Sequence, residues 1–161
     1  MPKLKVRKIL VPVDFSEYSK EALAVAADVA RDYGAQLLVL HVMAEPESSV
    51  PYEVYVDWGR VKSDIRADSE RMLVGMMREV FGPGERKELE SEPTTLIRWG
   101  EPGRGILDVA REEKADLIIM ATHGRTGLSR VFMGSVTESV LRRAPCPTLV
   151  IRSRDSSRSS Q

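Results

Sequence analysis

Short aliphatic and β-branched runs alternate along this 161-residue chain with longer amphipathic stretches. Strand–helix–strand crossovers produce that alternation, so the chain is expected to fold as an α/β domain around a doubly wound, five-stranded parallel sheet. Residues 7–13 (RKILVPV) read as the first strand. Ser16 then opens a helix with Ala22, Leu23, Ala26, Ala27 and Ala30 on one face, and Gly34 stops it. Residues 37–42 (LLVLHV) are almost wholly apolar, as a central strand buried on both faces should be.

Residues 44–57 mix prolines, serines, acids and aromatics without a period, and read as a surface loop or flap. The long helix that follows carries an apolar stripe of Val61, Ile65, Met72, Met76 and Val80, broadened by Leu73 and Met77. Gly82-Pro83-Gly84 ends it. Helical spacing makes those methionines core packing rather than a metal-binding set. Residues 94–99 form the third strand, and a helix beginning near Pro102 buries Ile106, Leu107, Val109 and Ala110. Residues 117–121 are the fourth strand, 135–143 the last helix, and 147–151 a fifth strand whose leading proline favours a sheet edge. Residues 153–161 hold only polar and charged side chains and are expected to be a disordered tail behind one domain spanning 1–152.

Composition removes several function classes. Lys plus Arg and Asp plus Glu both total 24, so no net positive field attracts nucleic acid. No apolar run approaches the ~20 residues of a membrane span, and the basic start at Lys3, Lys5, Arg7 and Lys8 leads into a strand too short for a signal-peptide core. A single cysteine, Cys146, allows no internal disulfide, which suits a reducing cytoplasm. It reads as a small buried hydrophobe between Pro145 and Pro147. His41 and His123, the two histidines, lack acid or thiol partners at ligand spacing, so no metal site is expected.

In an open parallel sheet the ligand sits beyond the carboxyl ends of the strands, where the winding reverses. With strand order 3-2-1-4-5 that point falls between Asp14, just past the first strand, and Thr122-His123-Gly124, just past the fourth. Gly124, Gly127 and Gly134 allow close backbone approach, and Gly134-Ser135 sets amides and a hydroxyl at a helix start, a plausible phosphate cradle. Ser135-Val136-Thr137-Glu138 is equally an S-x-x-E capping box, in which the helix satisfies its own amides. Asp14 likewise has a second reading, as a helix-entry residue ahead of Ser16. No Walker A lysine motif and no G-x-G-x-x-G turn occur.

The stretch ATHGRTGLSRVFMGSVTESVLRRAPCPTLVIR, with ILVPVDFS near the start, resembles the universal stress protein family over Lys8 to Arg152. The family motif G-x2-G-x9-G-S/T falls on Ala121, Gly124, Gly134 and Ser135, with alanine in place of the first glycine. The resemblance implies a Rossmann-like domain that binds ATP, with Mg²⁺ accompanying the phosphates. Asp14 would meet the adenosine end, Val42 would face adenine, and Pro12 and Val13 would line the pocket. Gly124, Gly134 and Ser135 would hold phosphates, with His123, Arg125 and Val136 nearby.

The resemblance also implies a homodimer through the edge strand Thr148 to Ile151. The expected function is a cytoplasmic, ATP-binding, dimeric stress-response regulator or sensor acting on a protein partner, with neither nucleic acid nor membrane involved. A nucleotide-independent interaction module is the alternative, favoured by Ala121. A slow ATP hydrolase or adenylyl-transfer enzyme is a third, for which no signature and no convincing general base is found.

Overall fold

A computed structural model describes residues 5–46, 55–83, 89–123 and 133–152. Its strands are β1 (Lys8–Pro12), β2 (Gln36–Met43), β3 (Thr94–Trp99), β4 (Leu117–Ala121) and β5 (Thr148–Ile151). Its helices are α1 (Glu17–Tyr33), α2 (Trp58–Val80), α3 (Pro102–Glu112) and α4 (Ser135–Arg143). All strands pair in parallel, in the order β3-β2-β1-β4-β5. β1 is therefore the middle strand and β2 an interior one beside it.

Strand side chains alternate between faces, and here both faces are apolar because helices cover each of them. Ile9, Val11, Leu37, Val39 and Ile119 meet the alanine face of α1 and Leu73, Met76 and Met77 of α2. Leu10, Leu38, Leu40, Ile118 and Met120 meet Ile106, Leu107, Val109 and Ala110 of α3 and Val140 of α4. Each large aliphatic side chain buried this way contributes about 1.5–3 kcal/mol. The small alanines of α1 let that helix lie close against the sheet.

The alanine face of α1 and its stop at Gly34, which has φ 62°, follow the sequence reading. The stripe on α2 does so in part. Met72 is 45% exposed, and the buried face is Ser69, Leu73, Met76 and Met77, with Val61, Ile65 and Val80 only partly covered. Helix α2 ends at Val80, with Phe81 as its C-cap, ahead of the Gly-Pro pair. The expected tail, residues 153–161, and part of the expected flap, residues 47–54, lie outside the described residues.

At the amino ends of the strands Asp116 closes the sheet. Its Oδ2 accepts the backbone amides of Arg7 at 2.9 Å and Lys8 at 3.0 Å. Burial pushes the thiol of nearby Cys146 up from its ordinary pKa, and the Asp116 carboxylate adds to the effect. A thiol so protonated is a poor nucleophile, in keeping with a packing role. At the opposite, carboxyl end of the sheet the described residues leave a cleft.

Candidate functional site

The chain winds from β1 outward through β2 to β3, and then crosses back to place β4 on the other side of β1. Adjacent connections leave the carboxyl ends of β1 and β4 in opposite directions, and a cleft of about 380 Å³ opens there. Small-molecule sites run from roughly 300 to 1,000 Å³. Pro12, Val13, Asp14, Val42, Ala121, His123, Gly134, Ser135 and Val136 all line it. Gly124 and Arg125, along with Gly127, lie outside the described residues.

The cleft has an apolar end and a polar end. Leu40 and Val42 from β2, Met120 from β4, and Pro102 and Ile106 from the first turns of α3 make the former. Helix α3 comes this near to β2 because residue 105 is glycine: a Cβ there would lie 2.9 Å from Val42 Cγ1. Asp14, Ser19, His123, Ser135 and Thr137 make the polar end.

Helix entry at α1 is built around Asp14. Ser16 is the N-cap, its Oγ accepting the Ser19 amide at 3.2 Å. Asp14 Oδ1 in turn accepts the Ser16 amide at 3.0 Å and the Ser16 hydroxyl at 2.5 Å. Asp14 thus braces the helix entry and lines the cleft at the same time. Ser19 is buried because its hydroxyl donates to Ser16 O at 3.0 Å.

The capping box does not form. Gly134, in an extended conformation, is the N-cap of α4; Ser135 is already helical, and no side chain caps the helix. The other three described helices are each capped by a side chain: Ser16 for α1, Asp57 for α2, and Glu101 for α3, whose two carboxylate oxygens accept the Gly103 and Arg104 amides at 2.7 Å each. Free amides and the positive end of a helix dipole therefore face the cleft at α4. Thr137 anchors this helix start, its buried hydroxyl donating to Ala121 O at 2.9 Å.

Two further features suit a polar, anionic ligand. His123 Nδ1 pairs with Thr122 Oγ1 at 2.8 Å, while its Nε2 is buried without a hydrogen-bond partner. Such an orphan costs about 1–3 kcal/mol unless something satisfies it. Ala121, in place of the motif glycine, is a β-strand residue outside the positive-φ set, so its methyl imposes no backbone strain. No group of three or more potential metal ligands occurs among the described residues.

Ser19, Leu40, Pro102, Ile106, Met120 and Thr137 also line the cleft and were not singled out in the sequence. For Leu40 and Met120 the available signal was their place near the carboxyl ends of strands flanking the winding reversal. Ser19 and Thr137 carried no such signal, since hydroxyls in a first helical turn ordinarily face water.

Relatives of known identity share this architecture. The chain is 32% identical over 149 residues to universal stress protein MJ0531 of Methanocaldococcus jannaschii, covering 91% of this chain and 82% of that one. Universal stress protein UspA from Lactobacillus plantarum superposes with a TM-score of 0.76 at 27% identity, over 93% of this chain and 100% of that one. The universal stress protein from Archaeoglobus fulgidus solved in complex with dAMP superposes with a TM-score of 0.58 at 26% identity, over 92% of this chain and 99% of that one. The model of the universal stress protein family matches residues 5–152. With that match spanning nearly the whole chain, the protein belongs to the universal stress protein family.

Proposed function

We propose that this protein binds ATP in the cleft between β1 and β4 and acts as a homodimeric, cytoplasmic stress-response regulator whose nucleotide state alters what it contacts. The observation that carries the reading is the N-terminus of α4. It alone among the described helices lacks a side-chain cap, and it opens on the cleft. The dAMP complex of the Archaeoglobus fulgidus relative supports an adenine nucleotide as the ligand class.

In this reading Leu40, Val42, Pro102, Ile106 and Met120 take the flat base, and Asp14 the ribose hydroxyls. The amides at Ser135 and Val136 hold phosphate oxygens, His123 Nε2 gains a partner, and Gly124 and Arg125 complete the phosphate end. An exposed helix N-terminus contributes only about 0.3–1 kcal/mol toward an anion, so several contacts must converge to reach the roughly −8 kcal/mol of micromolar binding. Bound ATP would supply a Mg²⁺-accompanied polyphosphate that nucleotide loss or hydrolysis removes, giving two distinguishable states. Unpaired groups on the outer edge of β5 would be satisfied by the same strand of a second copy.

Calorimetric titration of the nucleotide-stripped protein with ATP and Mg²⁺ tests this, with dAMP as comparator. One saturable micromolar site per chain, tighter for ATP than for dAMP, is the expected result. Absence of saturable binding at millimolar nucleotide refutes it and moves function to the protein surface.

A further inference from the structure

His41 does not line the cleft, yet it touches the residues on both sides of Asp14. Its Nδ1 lies 2.8 Å from the carbonyl oxygen of Val13. A carbonyl oxygen can only accept, so the ring must carry its proton on Nδ1. The same ring packs on Phe15, with centroids 4.3 Å apart and planes tilted by 44°. Phe15 has φ 65°, in the left-handed region that bulky side chains rarely adopt. Strained backbone of this sort persists only where its surroundings over-determine it. Between these two gripped residues sits Asp14, whose carboxylate lines the cleft and braces Ser16.

We propose that His41 is a positioning residue of the ligand site: by a hydrogen bond to Val13 and a ring contact with Phe15 it clamps the β1–α1 turn and sets the direction of the Asp14 carboxylate. The part that concerns ligand affinity rests on the nucleotide reading above; the clamp itself does not. Because His41 is a β2 residue paired with Ile97 of β3, it also ties this turn to the interior of the sheet.

The test separates the two parts. Nitrogen-15 spectra of the ligand-free ring should show the Nδ1–H form of His41. An Nε2–H form with bare Nδ1 overturns the clamp whether or not ATP binds. For affinity, His41→Phe keeps a ring but loses the donor, whereas His41→Asn places an amide donor close to the Nδ1 position. His41→Phe should weaken ATP binding about tenfold, the value of one hydrogen bond of about 1.4 kcal/mol, and His41→Asn should recover most of it. In an Asp14→Ala background the His41→Phe step should cost little more. Equal losses in both backgrounds, or no loss in either, overturn positioning through Asp14. If wild-type protein binds no ATP, the nucleotide reading fails, while the ring tautomer and faster hydrogen exchange at the Phe15 and Ser16 amides in His41→Phe still decide the clamp.

Discussion

The backbone amide of Gly134 donates to the carbonyl oxygen of Thr122 at 2.8 Å, and a Cβ on Gly134 would lie 3.3 Å from that same oxygen. The start of α4 is thereby drawn against the end of β4 more closely than a side chain comfortably permits. Gly134 has φ −61° and ψ 149°, values open to any residue, so close approach is the reason for glycine here.

Gly134→Ala should therefore fold, with a modest loss of stability of about 1–3 kcal/mol from crowding. It should lose more in ligand affinity than stability alone explains, because α4 and its free amides must move away from Thr122. Parallel urea melts and ATP titrations check this. Affinity unchanged from wild type would show that these amides do not hold the ligand.

At the apolar end the corresponding contact is between Gly105 and Val42. A Cβ on Gly105 would sit 2.9 Å and 3.0 Å from the two methyl carbons of Val42, leaving no room without displacement. Gly105→Ala should cost about 1–3 kcal/mol and narrow the cleft by pushing Val42 inward. Adding Val42→Ala should return part of both stability and affinity. A double-mutant cycle on the two sites measures the coupling, and strictly additive effects would contradict it.

Glu101 provides the contrast. Both of its carboxylate oxygens are engaged by the α3 amides, so its role is to cap. Glu101→Ala should lower stability by about 0.5–2 kcal/mol and leave ATP affinity nearly unchanged. Comparable losses of both would place α3, rather than α4, at the anionic end of the ligand.

Element order and type were legible in the sequence because β1, β2 and β4 are short continuous apolar runs and α1 and α3 carry a clear apolar face. What the sequence left open or misplaced has physical causes. On α2 the expected stripe includes Leu73, Met76 and Met77, which are buried, and Met72, which the roughly 100° rotation per residue turns toward solvent. The buried face runs through Ser69, Leu73, Met76 and Met77, and a polar serine inside it hid the true axis. At α4, Ser135 and Glu138 had capping-box spacing, yet the extended Gly134 is the N-cap, a shift of one residue that a motif cannot resolve. His41 reads in the sequence as a strand-end histidine without an acid or thiol partner at ligand spacing. Its contacts to Val13 and Phe15 exist only once β1 and β2 are paired.

Cys146 allows a test at the other end of the sheet. Burial, followed by the Asp116 carboxylate, raises its pKa, so the thiolate is disfavoured in the folded state. The unfolded chain then ionises at lower pH than the native one. Stability from this group is full below the unfolded pKa and falls away as pH rises through the folded value. Iodoacetamide alkylation of native protein should be slow at neutral pH, with a midpoint above the ordinary thiol range. Asp116→Asn should lower that midpoint only in part, since burial is the larger cause. A midpoint at or below the ordinary thiol value would contradict this.

The outer edge of β5 carries the last prediction. Ile118 and Thr122 donate to the carbonyls of Pro147, just ahead of β5, and Ile151, so those carbonyls face β4. Backbone groups alternate along a strand, which turns the amides of Thr148 and Val150 toward the open edge. Leu149 beside them is 41% exposed. If a second copy pairs along this edge, Val150→Pro removes a donor from the dimer while sparing the ladder to β4. Sedimentation should then give a dimer for wild type and a monomer for Val150→Pro, with circular dichroism retained in both. Covering of the same edge by residues 153–161 is the alternative to be tested. Deleting them should leave a dimer if strands pair between copies, whereas a wild-type monomer that dimerises only after the deletion would assign the edge to the tail.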